Sequence, residues 1–198
     1  MNTFRSIVCI GTSTGGPGAL VKVLSKLPKD FPAPLFIVQH MPPKITKSLA
    51  ERLDSLSFIR VKEAEHREHA EKGTAYIAPG GFHMVLASHS QGIIIELDDS
   101  KRKGVHCPSV NELFETASRL KNYSKIAVIM TGMGSDGTEG LQMMKRNGDT
   151  FAIAESEATS IVYGMPRAAA ATGEVDKVLD LDNIAEGILT KIASIERG

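Results

Sequence analysis

Residues 6–18 read SIVCIGTSTGGPG, and this stretch decides the fold that we expect. The apolar run over residues 6–10 is typical of a buried strand, and the glycines after it allow a sharp turn into a helix. We predict that helix over residues 19–27, followed by a strand over 35–39 and a helix over 46–56. The chain therefore begins with a β-α-β unit, the building block of parallel sheets.

The second half of the chain returns to the same alternation. We predict strands over residues 125–130 and 150–154 on either side of a helix over 137–147, and further helices over 108–120 and 183–195. Apolar strands that alternate with helices indicate a parallel sheet with helices on both of its faces. The expected class is α/β.

The middle of the chain has a different pattern. Short strand-like runs over residues 74–78, 83–87 and 92–97 follow one another without helices, and the last two are typical of an antiparallel hairpin. The charged stretch over residues 98–104 is expected to be a solvated loop, although its three consecutive basic residues offer an anionic contact. We see no repeats, so a single domain over residues 1–198 accommodates every element.

Composition excludes several functional classes. The 198 residues include 23 Lys plus Arg and 23 Asp plus Glu, and this balanced charge argues against a protein that coats nucleic-acid backbone. No apolar run approaches the roughly 20 residues that a membrane-spanning helix needs, and the N-terminus lacks a signal-peptide pattern. The two cysteines, Cys9 and Cys107, cannot form a disulfide framework. We expect a cytoplasmic protein that binds no nucleic acid and does not insert into membranes, with Cys9 in the core and Cys107 in a loop.

The first loop that carries chemistry contains the pattern Gly-x-Ser-x-Gly at residues 11–15. At a strand-to-helix turn, this pattern exposes a serine hydroxyl and places free N–H groups nearby for a developing oxyanion. Ser13 is therefore a candidate nucleophile. The alternative is that Ser13 or Thr14 caps the following helix. A phosphate-binding loop is disfavoured, because Pro17 stands where such a loop needs lysine.

The second loop begins at His40, directly after the strand predicted over residues 35–39. In a parallel sheet this residue lies at the same edge as Ser13, and an imidazole is a natural general base for a hydroxyl. The alternative is an ordinary loop histidine. A metal site is not expected, because His66 and His69 lack the glutamate of a zincin motif and lie in a charged segment typical of a hydrated surface.

The third loop, residues 131–137, reads TGMGSDG and supports two interpretations. Gly132, Gly134 and Gly137 fit the Gly-x-Gly-x-x-Gly pattern of a dinucleotide-binding turn between a strand and a helix. Asp136 opposes this interpretation, since a carboxylate at the helix N-terminus would repel a pyrophosphate.

Asp136 suits a different role, in which its carboxylate orients His40 and stabilises the imidazolium that forms when His40 takes the serine proton. The three loops then share one edge of the sheet, and their coincidence favours a hydrolase more strongly than any single motif does. We expect the backbone N–H groups of Thr14 and of the turn at Met133 and Gly134 to hold the oxyanion. The chain order Ser, His, Asp differs from that of α/β-hydrolases, so that fold is not expected.

Six blocks of sequence, which include the three loops, lie in order along nearly the whole chain: residues 10–16, 39–43, 75–80, 108–110, 131–137 and 162–167. Together they resemble the catalytic domain of the bacterial chemotaxis protein-glutamate methylesterases, the CheB type. The resemblance implies a doubly wound, mostly parallel sheet with an antiparallel hairpin, and a triad of Ser13, His40 and Asp136. It also implies cofactor-free hydrolysis of glutamate methyl esters on the cytoplasmic helices of methylated chemoreceptors, with deamidation of certain glutamines.

Two positions depart from the family pattern, and both bear on the substrate cleft. Asn111 stands where the family usually has Asp, and residues 155–157 read ESE in place of a Gln-Asp-Glu-like stretch. Family members commonly carry an N-terminal phosphorylatable receiver domain, whereas Ser13 lies near the start of this chain. We therefore expect no receiver domain here and leave a regulator in trans open. The alternatives are a non-catalytic interaction protein of the same fold and a nucleotide-binding module that uses the glycines of the third loop.

Overall fold

The computed structural model describes residues 3–100 and 106–198, and its strands form two sheets. In chain order the strands are β1 (Ser6–Thr12), β2 (Leu35–Gln39), β3 (Arg60–Glu63), β4 (Glu68–His69), β5 (Thr74–Ile77), β6 (His83–His89), β7 (Gly92–Asp98), β8 (Ser124–Ile129), β9 (Thr150–Glu155) and β10 (Lys177–Leu179). The helices are α1 (Gly16–Leu24), α2 (Ile45–Ser55), α3 (Val110–Ser118), α4 (Thr138–Asn147), α5 (Met165–Ala171) and α6 (Leu181–Arg197).

The larger sheet has seven strands in the order β10-β9-β8-β1-β2-β5-β3, and its neighbouring strands run parallel. The strand order grows in both directions from β1, which pairs with β2 on one side and with β8 on the other. This is the arrangement of a doubly wound sheet. The smaller sheet is antiparallel, in the order β4-β7-β6, and β6 and β7 form the expected hairpin. The predicted fold class is confirmed.

Alternate residues of β1 face two different helical layers. Val8 and Ile10 belong to an apolar cluster with α1, α2 and α6, whereas Ile7 and Cys9 belong to a second cluster with α3, α4 and α5. Because both faces are covered, β1 is buried along its whole length. Burial raises the pKa of the Cys9 thiol to about 12, which marks it as a core residue. Cys107 is a partly exposed loop residue, as expected.

Four short elements were not predicted from the sequence. Strands β3 and β10 lie at the two edges of the larger sheet, and β3 has a single fully buried residue, Val61. Edge strands with exposed faces lack the apolar run that marks a buried strand. Strand β4 has only two residues, and α5 is mostly alanine and therefore shows no apolar periodicity. Helix α1 begins at Gly16, earlier than predicted, because Pro17 fits the first turn of a helix.

The prediction of a solvated loop over residues 98–104 falls mostly outside the described residues. Within the described part, β7 continues to Asp98. None of the helices in residues 3–100 and 106–198 combines the length and the apolar character that crossing a membrane requires.

Candidate active site

Three loops leave the carboxyl ends of the adjacent strands β8, β1 and β2 and meet at one edge of the larger sheet. The register pairs Thr12 with Gln39, so Ser13 and His40 are the next residues on neighbouring strands. The N–H of His40 donates to the carbonyl of Thr12 at 3.2 Å, and the N–H of Ser13 donates to the carbonyl of Thr131 at 2.9 Å. The structure thus brings Ser13, His40 and the start of the third loop together.

Ser13 is partly exposed at the turn into α1. Its carbonyl accepts hydrogen bonds from the N–H of Gly16 at 2.8 Å and from the side-chain amide of Gln39 at 2.9 Å. Gly15 is the N-cap of α1, and its φ of 84° is a left-handed conformation that favours glycine. No N-cap side chain bonds to this helix. The alternative in which Ser13 or Thr14 caps α1 is therefore wrong.

His40 and Asp136 form a close pair. Nε2 of His40 lies 2.7 Å from Oδ2 of Asp136, and both side chains are only 9% exposed. Nδ1 of His40 is buried and has no hydrogen-bond partner among the described residues. When Nε2–H donates to the carboxylate, the neutral imidazole keeps its lone pair on Nδ1. Nδ1 is therefore the nitrogen that can accept a proton from a hydroxyl.

The carboxylate of Asp136 lies against the N-terminus of α3. Oδ2 accepts the N–H of Val110 at 2.7 Å, and Oδ1 accepts the N–H of Asn111 at 2.9 Å and the hydroxyl of Ser109 at 3.0 Å. Burial opposes the ionisation of Asp136, but hydrogen bonds from His40, Asn111 and Val110 outweigh it and lower the pKa of Asp136 below its ordinary value. Asp136 is therefore an anion that can orient His40.

Asn111, one of the two departures from the family pattern, fits this arrangement. Its Oδ1 accepts the N–H groups of Gly137 and Gly140, each at 2.9 Å. These groups belong to the first turn of α4, whose N-cap residue Gly137 has no side chain to bond them. The amide oxygen of Asn111 thus ties the start of α4 to α3, on either side of Asp136.

The same hydrogen bonds argue against the dinucleotide-binding interpretation. The N–H groups of Gly137 and Gly140 donate to Asn111, and the N–H of Gly132 donates to the carbonyl of Val162 at 3.0 Å. A pyrophosphate binds at a helix N-terminus only where such groups are free. These N–H groups are therefore already paired within the protein and are not available to a pyrophosphate.

The N–H groups predicted to hold an oxyanion lie on the loop that contains Ser13 and on the third loop. The N–H groups of Thr14, Met133 and Gly134 donate to no acceptor within residues 3–100 and 106–198. Met133 is 68% exposed. The third loop approaches the serine closely at Gly132, where a Cβ would lie 2.8 Å from Cβ of Ser13. The turn is thus adjacent to Ser13 and has unpaired N–H groups for a ligand.

Two residues at the site were not among those predicted from the sequence. The His106 ring stacks on the His40 ring, with centroids 4.0 Å apart and planes inclined by 15°. The side-chain amide of Gln39 donates to the carbonyls of Ser13 and His40 at 2.9 and 3.3 Å. Gln39 is adjacent to His40 in the sequence and could have been suspected. Nothing in the sequence indicates that the loop of His106 lies over His40.

His69 lies in β4 of the smaller sheet, and His66 precedes β4 in the chain. His66 and His69 are exposed, in agreement with a hydrated surface, and Nδ1 of His66 accepts the N–H of Leu97 at 3.0 Å. Within the described ranges of the chain, no three His, Cys, Asp or Glu side chains are placed to hold a metal ion.

Two curated relatives match most of this chain. Relatives from Oceanobacillus iheyensis and Bacillus subtilis, both named protein-glutamate methylesterase/protein-glutamine glutaminase, are 55% and 52% identical over 189 and 186 residues. The alignments cover 95% and 94% of this chain but 54% and 52% of the relatives. The chain therefore spans about half the length of the curated relatives it matches.

A solved structure resembles the chain over nearly its full length. The crystal structure of the Thermotoga maritima CheB methylesterase catalytic domain is 44% identical, with a TM-score of 0.89, and the match covers 99% of this chain and 100% of that one. The family model described as CheB methylesterase matches residues 8–188. On the sequence, the fold and these matches, the chain belongs to the CheB methylesterase family.

Proposed function

We propose that this chain is a serine esterase that hydrolyses the γ-methyl esters of glutamate residues on the cytoplasmic helices of methylated chemoreceptors. The observation that carries the proposal is the bond between His40 and Asp136, which leaves Nδ1 of His40 without a hydrogen bond, at the end of the strand that pairs with the strand leading to Ser13. The names of the relatives support the substrate class, because both relatives are called protein-glutamate methylesterase/protein-glutamine glutaminase.

In the first half of the reaction, Nδ1 of His40 takes the hydroxyl proton of Ser13, and Oγ forms a bond to the ester carbonyl carbon. The N–H groups of Thr14 and Met133 stabilise the oxyanion of the tetrahedral intermediate. The intermediate then breaks its bond to the methoxy oxygen, which takes the proton from His40 and leaves as methanol. The Asp136 carboxylate stabilises the imidazolium of His40 between these two transfers.

In the second half, His40 accepts a proton from water while the water oxygen attacks the acyl carbon of the esterified Ser13. Collapse of this second intermediate returns the proton to Oγ of Ser13 and releases the glutamate side chain as a free acid. A glutamine amide follows the same steps, with ammonia as the leaving group in place of methanol. The two activities in the names of the relatives therefore need only one site.

The same proposal places the reaction in the cytoplasm. Cys9 is a thiol in the protein core, and the cysteines of cytosolic proteins are usually kept reduced. Chemoreceptor cytoplasmic helices would be accessible to the protein there.

The proposal is tested by measuring methanol release from a panel of chemoreceptor cytoplasmic fragments methylated on glutamate. The matched controls are the same fragments without methylation and an unrelated protein carrying chemically introduced glutamate methyl esters. We expect methanol from the methylated receptor fragments and much slower release from the unrelated protein. If the chain binds the receptor fragments and releases methanol from none of them, it is a non-catalytic interaction protein and the proposal is wrong.

A further inference from the structure

Thr131 links the loop of the proposed nucleophile to the turn of the proposed oxyanion donors. Its carbonyl accepts the N–H of Ser13 at 2.9 Å, and its hydroxyl donates to the carbonyl of Thr14 at 2.9 Å. Gly132 and Met133 follow Thr131 directly in the chain. Any shift of Thr131 therefore changes the distance between Ser13 and the N–H groups that would hold the oxyanion.

Glu155 binds the one remaining polar group of the Thr131 backbone. The N–H of Thr131 donates to Oε2 of Glu155 at 2.7 Å, deep in the protein, where Glu155 is 0% and Thr131 is 1% exposed. Oε1 of Glu155 accepts the hydroxyl of Thr159 at 3.1 Å, and that hydroxyl oxygen accepts the N–H of Leu181 at 2.9 Å. The carboxylate is thus fixed between the end of β8 and the start of α6.

A carboxylate is a costly group to place at this position. Glu155 forms no ion pair with any residue of the described ranges. Burial raises its pKa, and the hydrogen bonds from Thr131 and Thr159 oppose this only in part. Glu155 lines a cavity of about 420 Å³. The other two charged residues of this cavity, Lys22 of α1 and Asp182 of α6, pair with each other, with Nζ 3.5 Å from Oδ1. An apolar side chain would avoid the desolvation but would leave the N–H of Thr131 unpaired.

We propose that Glu155 is a positioning residue for the esterase reaction: by holding Thr131, it sets the distance between Ser13 and the oxyanion turn. The kinetic consequence rests on the proposed function, whereas the structural consequence can be observed without it. Holding Thr131 requires an acceptor oxygen but not a negative charge, because a neutral amide oxygen at the same place also accepts the Thr131 N–H. The variant Glu155→Gln should therefore retain the function of Glu155, whereas Glu155→Leu should lose it.

The kinetic experiment compares methanol release by Glu155→Leu, Glu155→Gln and Asp182→Asn with that of the unchanged protein. Asp182→Asn is the matched control, because it removes a carboxylate from the same cavity without touching Thr131. We expect Glu155→Leu to lower kcat by about tenfold or more, with KM within about twofold, because a displaced oxyanion turn weakens hydrogen bonds that form fully only in the transition state. Glu155→Gln should retain kcat within about threefold, and Asp182→Asn should behave like the unchanged protein.

A second variant covers the case in which Glu155→Leu does not fold. Thr159→Val removes the hydroxyl that fixes Oε1, so the carboxylate is free to turn and its bond to the N–H of Thr131 is weakened. It should lower kcat by a smaller factor, about threefold, again without raising KM. Equal kcat values for Thr159→Val and the unchanged protein would then contradict the role of Glu155.

Hydrogen exchange at the amides of Thr131 and Ser13 separates this inference from the proposed function. Both amides are hydrogen-bonded, so they should be protected in the unchanged protein and in Glu155→Gln, and exchange faster in Glu155→Leu or Thr159→Val. This holds even if no ester substrate is turned over. Unchanged protection in Glu155→Leu, or a loss of kcat in Glu155→Gln as large as in Glu155→Leu, would overturn the inference.

Discussion

Nε2 of His40 bonds Oδ2 of Asp136 at 2.7 Å, and that single bond determines which imidazole nitrogen stays available. The carboxylate also accepts three donors from the first turn of α3 and its N-cap, namely Ser109, Val110 and Asn111. These donors hold the Asp136 carboxylate in place, and the carboxylate in turn holds the orientation of the His40 ring. The orientation of His40, the proposed general base, is thus set by a helix that is distant from it in the sequence.

Asp136→Asn should lower kcat for methanol release by roughly 10⁴-fold, since an amide can present its N–H₂ to Nε2 and so favour the wrong tautomer of His40. It also has one carbonyl oxygen where two carboxylate oxygens accept four hydrogen bonds. Steady-state kinetics with a methylated receptor fragment measures the effect. A loss of less than tenfold would show that Asp136 does not orient the base.

Asp136 should also make the free energy of unfolding depend on pH. Its pKa in the folded state is lowered from the ordinary 3.8, so its ionisation contributes stability that is present above about pH 3.8 and is lost as the pH falls through the folded-state pKa. Urea denaturation between pH 2 and pH 7 should show that the difference in unfolding free energy between the unchanged protein and Asp136→Asn shrinks on acidification. A difference that does not change with pH would contradict the lowered pKa.

Asn111→Ala should destabilise the fold by about 1–3 kcal/mol, because it leaves the N–H groups of Gly137 and Gly140 without their acceptor. Asn111→Asp is the matched variant, since a carboxylate oxygen can accept both groups, and it should retain most of the stability. The midpoint of urea denaturation at pH 7 reports both changes. Equal losses in the two variants would show that the acceptor oxygen is not what stabilises the start of α4.

His106→Ala should lower kcat by about two- to tenfold, because the stacked ring holds His40, the proposed general base, in place with an aromatic pair worth about 0.5–1.5 kcal/mol. His106→Phe keeps a flat ring over His40 and should recover most of the rate. Methanol-release kinetics of the two variants checks this. If phenylalanine is as slow as alanine, the stacked ring is not what holds His40.

The positions of Ser13, His40 and Asp136 could be predicted because each lies on a loop directly after an apolar strand, and parallel strands bring such loops to one edge. Their hydrogen-bond partners could not be predicted in this way. Asp136 precedes α4, yet its carboxylate lies at the N-terminus of α3, and only tertiary packing decides which helix start faces it. The roles of His106 and Glu155 likewise depend on contacts between distant segments, which local periodicity does not encode.

The edge strands of the larger sheet could not be predicted from the sequence, for a different physical reason. Sequence patterns reveal strands that bury apolar side chains on both faces, as β1 does along its whole length. Strand β10 has no fully buried residue, so its short sequence resembles a loop. The central strands, whose ends carry the candidate site, are therefore easier to predict from the sequence than the edge strands.

The most direct test of the account is the rate of methanol release by Ser13→Ala, measured beside Ser135→Ala on the same methylated receptor fragment. Ser135 is an exposed serine on the third loop, so it controls for the loss of a nearby hydroxyl. We predict that Ser13→Ala loses roughly 10⁴-fold or more in rate while Ser135→Ala stays within about threefold of the unchanged protein. Near-normal methanol release by Ser13→Ala would contradict the assignment of Ser13 as the nucleophile.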